Sequence, residues 1–247
     1  MSFVITVYVP EAIVMASDSR QSILIQKRTS DETKQQTVET VNSDFVYKIF
    51  LLPKQEVGIS TFGEFILDKV TIESHIKRFQ EEKVRNGDDV FSVAQKLLES
   101  FSKKFPNADT TFHIAGFKKE SGISVPHVYN CQVSRNEMRR LNVKSGTDEV
   151  VYGASWGGQV DIVAGILSPS QLISSNGKMQ QAVRAPVIWD AMPIQDAIDF
   201  AIYAVRTTID TIRFQARPKN VGGPIDVLLF TPDKASWIQR KEYRGQM

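Results

Sequence analysis

Ser2 is the residue of this sequence that combines two catalytic groups in one place. Its small side chain permits a methionine aminopeptidase to remove Met1, so that the chain begins with a serine. An N-terminal serine carries a hydroxyl nucleophile and a free α-amine on the same carbon. With a pKa of about 7.7–8.0, that amine is a suitable general base at neutral pH. The sequence therefore predicts a nucleophile with its own base at residue 2.

Two short apolar runs position Ser2. Residues 2–9 are mostly β-branched and aromatic, which predicts a strand, and residues 12–16 predict a second one. Pro10-Glu11 between them predicts a tight turn, so the two strands form a hairpin. Asp18 follows the second strand, and we expect it to leave the sheet near the end at which the chain starts.

The rest of the chain alternates strand and helix patterns. Residues 26–44 are polar and aperiodic, which predicts a loop or an excursion from the sheet. A helix is predicted from about Glu64 to Gln80, and a second one from Val90 until Pro106 stops it. Strands are predicted at 45–52, 56–63, 111–117, 124–133, 150–153 and 225–230, with further helices at 159–167 and from Pro193, and a frayed polar tail at 238–247.

Composition and element order together predict the fold class. The 247 residues are 42% hydrophobic and 23% charged, which is typical of a folded domain with a sizeable core. No break in composition divides the chain, so we expect a single domain over residues 1–247. The order of elements predicts an α+β fold, a four-layer αββα sandwich in which two antiparallel sheets pack together with helices outside them.

Charge, hydropathy and cysteine content exclude several classes of function. A net charge of +2 without a basic stripe argues against a nucleic-acid partner. No apolar run approaches the roughly 20 residues of a membrane span, and the N-terminus lacks the pattern of a signal peptide. The single cysteine, Cys131, fits a reducing cytoplasm. His75, His113 and His127 lack the paired spacing of a zinc site, so no metal or cofactor is expected.

Five segments, in this order and spacing, resemble proteasome β-subunits and their bacterial ring-protease relatives, within the N-terminal nucleophile (Ntn) hydrolases. The resemblance covers nearly the whole chain in element order. The segments are Ser2 with Ala16-Ser17-Asp18-Ser19-Arg20, then Tyr47-Lys48-Ile49-Phe50, Gly58-Ile59-Ser60-Thr61-Phe62-Gly63, Phe112-His113-Ile114-Ala115-Gly116-Phe117 and Gly222-Gly223-Pro224-Ile225-Asp226-Val227.

The resemblance implies an Ntn-hydrolase fold and a role for each residue. Ser2 is the nucleophile and its amine the base, while the Lys48 ammonium favours the neutral amine and stabilises developing negative charge. Asp18 pairs with Lys48 and holds it, and the backbone N–H of Gly63 donates to the oxyanion. Ser155 is the serine expected to support the amine if the alignment carries a gap; otherwise Gly158 takes that position.

A second lysine competes for the role given to Lys48. Counted without gaps, Lys34 stands where the family places its catalytic lysine, but its neighbours are all polar and predict no strand to position it. Lys48 has apolar flanks and a following strand. We therefore prefer Lys48 and treat residues 26–44 as carrying an insertion.

Two positions depart from the family pattern. The aspartate and serine that usually precede the Gly-Gly pair are replaced by Pro218 and Val221, neither of which can support an amine.

Three functions stay open. The first is a peptidase that cleaves peptides or proteins inside a ring of identical subunits, with any ATP-driven unfolding left to a separate partner, since the chain has no P-loop motif. The others are a non-catalytic ring or scaffold protein and a small-molecule amidase.

Overall fold

A β-hairpin at the start of the chain organises the first sheet. In this computed structural model, which describes residues 2–28, 35–167, 171–173, 179–181, 185–243 and 245, strand β1 (Phe3–Val9) pairs antiparallel with β2 (Ala12–Ser17) through the Pro10-Glu11 turn. Every residue of both strands is buried. The register pairs Val4 with Ser17, so Asp18 leaves β2 beside the start of β1, as the hairpin predicted.

Helices and antiparallel sheets make up the fold, which confirms the α+β class. Continuing along the chain, the strands are β3 (Gln21–Arg28), β4 (Gln35–Ser43), β5 (Ile49–Leu52), β6 (Val57–Gly63), β7 (Ile66–Leu67), β8 (Val70–Thr71), β9 (Thr110–Glu120), β10 (Ile123–Gln132), β11 (Glu137–Arg140), β12 (Gly153–Gly158), β13 (Gln171–Ile173), β14 (Met179–Gln181), β15 (Asp226–Phe230) and β16 (Ala235–Gln239). The helices are α1 (Ile72–Glu82), α2 (Val90–Lys104), α3 (Asp161–Leu167) and α4 (Ile194–Phe214). None of the helices in the described ranges is long and apolar enough to cross a membrane.

Two five-stranded sheets contain most of the strands. The first has the order β12-β1-β2-β15-β16 and the second the order β11-β10-β9-β6-β5. The side chains of β2 alternate between two clusters of buried residues, as the two-residue period of a strand requires. Val14 packs with residues of α3 and α4, whereas Ile13 and Met15 share a cluster with Ile49 and Ala115 of the second sheet. Helices α1 and α2 pack in a third cluster, with the second sheet.

The polar segment after β2 is a β-hairpin and not an irregular loop. Strands β3 and β4 pair antiparallel in a sheet of their own, separate from both five-stranded sheets. The sequence did not predict these strands because neither face of the hairpin is continuously apolar. Apolar and polar residues therefore do not alternate along them with the two-residue period of a half-buried strand. The residues between them, 29–34, lie outside the described residues and include Lys34.

The first predicted helix begins later than expected. Residues 64–71 contain the small hairpin of β7 and β8, whose turn residues Asp68 and Lys69 have φ values of 49° and 63°. Such left-handed backbone is incompatible with a helix starting at Glu64. The helix starts instead after Thr71, whose side chain accepts a hydrogen bond from the Ser74 N–H, a standard N-cap arrangement.

The strand predicted at residues 150–153 also begins later in the structure. Residues 150–152 form no strand; Val150 makes an isolated bridge with Val143, and β12 runs from Gly153 to Gly158. Gly157 of β12 packs so closely on Phe62 that an added Cβ would lie 2.3 Å from the ring. The small residues that weakened the sequence signal for this strand are thus required by its packing.

The tail predicted to fray from Ile238 is partly ordered. Strand β16 extends to Gln239, and Lys241 beyond it is only 7% exposed. The Lys241 ammonium forms a buried ion pair with Asp226, while the Lys241 N–H donates to the other Asp226 oxygen at 2.8 Å. A fully buried carboxylate requires a cation, and this long side chain supplies it.

Candidate active site

Ser2 is held against the first sheet by the backbone on both sides of it. Its carbonyl oxygen accepts a hydrogen bond from the Gln159 N–H at 2.7 Å. The next residue, Phe3, donates its N–H to Asp18 Oδ1 at 2.9 Å and accepts from the Asp18 N–H at 3.2 Å. The Ser2 residue is 5% exposed. The start of β1 is therefore fixed in the fold rather than frayed.

Gly158 is the residue in closest contact with Ser2. Its φ of +88° lies in the left-handed region, and a Cβ at this position would stand 1.8 Å from the Ser2 carbonyl oxygen. Both observations require glycine. The sequence left Ser155 or Gly158 at the position expected to support the amine; Gly158 is the one in contact with Ser2, at its carbonyl.

Ser155 lies farther along the same pair of strands. It is paired with Thr6, four residues beyond Ser2 on β1. At about 3.3 Å per residue, this separates the two serines by about 13 Å. Ser155 does not line the cavity that contains Ser2. The structure therefore does not bring Ser155 to the other predicted site residues.

Asp18 is a fully buried carboxylate with four hydrogen-bond donors. Oδ1 accepts from the Phe3 N–H and, at 2.6 Å, from Lys48 Nζ. Oδ2 accepts from the N–H groups of Arg20 at 3.1 Å and Gly222 at 3.0 Å. Three backbone N–H groups and an ammonium donate to this buried carboxylate and stabilise its negative charge. Asp18 thus links the chain start, Lys48 and the Gly-Gly segment.

Lys48 is also removed from solvent, with 2% of its side chain exposed. Besides Asp18, its ammonium donates to the Arg20 carbonyl at 2.7 Å. Burial lowers the pKa of Lys48, the Asp18 carboxylate opposes that shift, and the positive charges of Lys241 and Arg20 add to it. An ammonium with a lowered pKa is a better proton donor, and this one is a compact positive charge in the wall of a cavity that Ser2 also lines.

Arg20 completes the charged surroundings of Lys48. Its guanidinium binds both oxygens of Asp44, at 2.5 and 2.8 Å, and the Lys219 carbonyl at 2.9 Å. The hydrogen bond and charge of Asp44 raise the pKa of Arg20, and Arg20 lowers the pKa of Asp44. These bonds from the planar guanidinium hold Arg20 in position, and the Arg20 carbonyl is the group that accepts from Lys48. Sequence reasoning placed Arg20 in a family motif without giving it this role.

Gly63 is the last residue of β6. Its φ is +100°, and an added Cβ would lie 2.0 Å from the Asp109 carbonyl oxygen. Only glycine fits this approach. The adjacent Glu64 N–H donates to the same carbonyl at 2.8 Å, which anchors the strand end to the chain before β9.

One cavity of about 590 Å³ brings these groups together. Ser2, Lys48 and Gly63 line it, and Asp18 lies behind Lys48. Its size is within the range of pockets that bind small molecules or a few side chains. The remaining lining residues are Arg20, Gln21, Ser22, Ile23, Glu39, Phe62, Glu64, Phe65, Ile66, Asp109, Thr111 and Gly158.

Pro218 and Val221, the two positions that depart from the family pattern, precede the Gly222-Gly223 pair and do not line the cavity that contains Ser2. Val221 is 2% exposed and packs in the cluster beneath α4, so it offers no polar group. Between them, Asn220 is buried, and its Nδ2 donates to the Gln159 side-chain oxygen at 3.3 Å. Sequence reasoning did not single out Asn220, because an asparagine before Gly-Gly is typical of any turn.

No protein-family model matches the chain, and no curated protein matches it.

Proposed function

We propose that this protein is an amide-bond hydrolase of the threonine-protease type in which Ser2, freed by removal of Met1, is the N-terminal nucleophile. The observation that carries the proposal is the buried Asp18–Lys48 ion pair, whose aspartate also accepts from the Phe3 N–H and whose lysine lines the cavity containing Ser2. A buried charge pair is costly to build and gives no stability that apolar side chains could not supply. The ion pair is linked to an N-terminal serine that backbone hydrogen bonds hold in position, and this supports a catalytic role for the pair.

The chemical steps follow from the groups present. The Ser2 α-amine accepts the hydroxyl proton as Oγ attacks the amide carbon, and the carbonyl becomes a tetrahedral oxyanion. The Gly63 N–H and the Lys48 ammonium stabilise that charge. The protonated amine then gives its proton to the leaving nitrogen, and the C–N bond breaks to leave an ester on Ser2. Water, deprotonated by the amine, hydrolyses the ester and restores the hydroxyl.

The fold we propose is the four-layer αββα sandwich of the Ntn hydrolases. Support comes from β2, which packs one face on the cluster of α3 and α4 and the other face with residues of the second sheet. The packing of α1 and α2 with the second sheet supports the fourth layer. The pairing of β1 in the first sheet, one residue after the start of the chain at Ser2, supports the same proposal.

Peptides or proteins are the proposed substrates, cleaved in the cytoplasm within a ring of identical subunits. The ring rests on the family resemblance, with exposed apolar residues available as contact surface: Phe214 is 81% exposed, Ile188 63% and Tyr203 49%. A separate ATPase would supply any unfolding of protein substrates.

A non-catalytic scaffold on the same fold is the second candidate. It is favoured by one observation, the buried apolar Val221 at a position where the family carries a group that supports the amine. Turnover of fluorogenic peptides by a chain that begins at Ser2 separates the two. The hydrolase predicts turnover that is lost in Ser2→Ala, retained in part in Ser2→Thr, and lost in Asp18→Asn. The scaffold predicts no difference between these variants and the parent chain.

A further inference from the structure

We infer that the cavity selects substrates with a basic side chain, lysine or arginine, beside the scissile bond; this inference rests on the proposed function. Two cations line the cavity, and each is neutralised by a carboxylate outside its lining: Lys48 by Asp18 and Arg20 by Asp44. The charge left over in the cavity is therefore set by its other residues.

Three carboxylates supply that charge. Glu39, Glu64 and Asp109 line the cavity, and across the described ranges none of them takes part in an ion pair. Glu39 accepts a hydrogen bond from the Ser22 hydroxyl, which leaves its charge in place. Glu64 and Asp109 are exposed and Glu39 is half-buried, so water screens their charges in part, yet three carboxylates lining one cleft still favour a cation and disfavour an anion.

The walls of the cavity distinguish a long basic side chain from a small cation. Phe62, Phe65 and Ile66 line the same space and offer apolar surface. Phe62 is held in place by the close contact with Gly157 and by an edge-on contact with His113, ring centroids 5.3 Å apart. Lysine and arginine place their methylene stems on such surface and extend the charged head to a carboxylate.

The three carboxylates come from two places in the fold, the surroundings of Gly63 and the β3–β4 hairpin. Glu64 follows Gly63 directly and is tied by its backbone to Asp109 at 2.8 Å, so both are next to the proposed oxyanion donor. Glu39 comes from β4 of the β3–β4 hairpin. A basic side chain seated between them would place its own carbonyl near Ser2 and Gly63.

Matched peptides test this inference separately from hydrolysis. Three acetylated peptides that differ only in lysine, glutamine or glutamate before the scissile bond are compared in kcat/KM on the chain beginning at Ser2. Their fluorescent forms are compared in Kd on Ser2→Ala, which binds without cleaving. We expect the lysine peptide to exceed the glutamate peptide at least 10-fold in both measurements. Glu64→Gln with Asp109→Asn should remove most of the difference, whereas Glu11→Gln on the exposed turn of the first hairpin should not.

The outcomes are distinct. A lysine preference in binding without any hydrolysis contradicts the proposed hydrolase and supports the selectivity. Hydrolysis with equal or reversed preference supports the hydrolase and overturns the selectivity. Equal binding of all three peptides to Ser2→Ala overturns the selectivity whether or not the parent chain is active.

A second observation, independent of the cavity charge, concerns the amine of Ser2: the geometry points to Asn220 as the residue that positions it. Asn220 is 2% exposed, and among the residues that the structure describes its Oδ1 has no hydrogen-bond partner. A buried amide oxygen without a donor is costly, which indicates that a donor is supplied in the mature protein.

The surroundings of Asn220 identify that donor. Its Nδ2 donates to the side-chain oxygen of Gln159, and the backbone N–H of Gln159 donates to the Ser2 carbonyl at 2.7 Å. Two residues later, the Gly222 N–H donates to Asp18, which accepts from the Phe3 N–H. Two routes of hydrogen bonds therefore link the Asn220 segment to the start of the chain, one through Gln159 and the other through Gly222 and Asp18. An N–H of the α-amine released by loss of Met1 is the donor that fits, and accepting it aims the amine lone pair at the Ser2 hydroxyl.

The pH dependence of the amine tests this positioning role. A chain released from a cleavable fusion so that it begins at Ser2 is reductively methylated at a series of pH values, and the N-terminal peptide is quantified by mass spectrometry. Asn220→Asp should shift the midpoint of methylation to higher pH by about one unit, because a carboxylate favours the ammonium. Asn220→Ala should lower the rate of hydrolysis at least 10-fold, while Asn220→Ser should retain more activity than Asn220→Ala.

Ser60→Ala is the matched control, since Ser60 Oγ is another buried group without a partner among the described residues. It should leave both the methylation midpoint and hydrolysis unchanged. An unshifted midpoint in a folded Asn220→Asp chain, or Asn220→Ser no more active than Asn220→Ala, overturns the positioning role. A shifted midpoint in a chain that never hydrolyses peptides supports Asn220 and contradicts the hydrolase.

Discussion

Lys48 Nζ and Asp18 Oδ1 lie 2.6 Å apart, with 2% and 0% of their side chains exposed. The same Asp18 oxygen accepts the Phe3 N–H. One atom therefore ties the buried cation to the first strand of the protein. Any change at either residue alters both the charge beside Ser2 and the position of the chain start.

Removing the cation alone should be strongly destabilising. Lys48→Met leaves the Asp18 carboxylate buried without its ammonium, which costs about 3–5 kcal/mol in the free energy of unfolding. The double change Lys48→Met with Asp18→Asn should recover part of that loss, because no charge then stays buried although the amide keeps only one of the two oxygens that accept backbone N–H groups. It should remain inactive. Urea denaturation checks the stability and peptide turnover the activity. Equal stability of the single and double variants would contradict a buried ion pair.

Gly158 should tolerate no side chain. Gly158→Ala forces a Cβ against the Ser2 carbonyl oxygen in a left-handed backbone, so the start of β1 must move and turnover should fall at least 10-fold. Gly165→Ala in α3 is the control: among the described residues outside its own helix turn nothing lies within 4 Å of its added Cβ, and alanine favours the helix by about 0.5–1 kcal/mol. Kinetics and thermal unfolding of the two variants are compared. Full activity in Gly158→Ala would show that Ser2 lies elsewhere.

The C-terminal ion pair should matter for stability. Lys241→Met leaves Asp226 buried and unpaired, with an expected loss of about 3–5 kcal/mol, whereas Lys234→Met on the exposed turn after β15 should change stability by less than about 0.5 kcal/mol. Equilibrium unfolding measures both. Similar values for the two variants would indicate a frayed tail, as its polar sequence suggested.

His113 should make stability depend on pH. Burial lowers its pKa to about 4 from an ordinary value of 6.5, so the unfolded chain binds a proton that the folded chain does not. The stabilisation is complete above pH 6.5 and is lost as the pH falls towards 4, with a slope of at most about 1.4 kcal/mol per pH unit. His113→Gln should reduce that slope in urea unfolding series; burial of His127 lowers its pKa too and leaves a residual dependence.

The sequence predicted the elements whose apolar period is regular. The first hairpin, α2 with its stop at Pro106, and the pair β9 and β10 with their turn at Ser121-Gly122 all follow from periodicity and turn residues. The β3–β4 hairpin and β12 were missed or displaced because their stability comes from pairing and close glycine packing, which leave no apolar period in the sequence.

The site residues that could be predicted are those that stand at the end of a predicted strand. Asp18, Lys48 and Gly63 each follow or precede a recognisable apolar run, and the structure gathers them with Ser2. Ser155 was named on the assumption of a gap in the alignment, and the pairing of β12 with β1, which puts Gly158 and not Ser155 next to Ser2, cannot be set by residue type alone. Lys241 could not be predicted, since only the buried Asp226 opposite it explains why a tail lysine is ordered.

Covalent labelling at residue 2 is the most direct test of the central claim, that Ser2 is a nucleophile assisted by its own amine. Intact mass spectrometry is performed before and after incubation with a peptide epoxyketone. We predict a chain that begins at Ser2 and gains the mass of one inhibitor, with no gain in Ser2→Ala. A chain that retains Met1 and stays unmodified would contradict the claim.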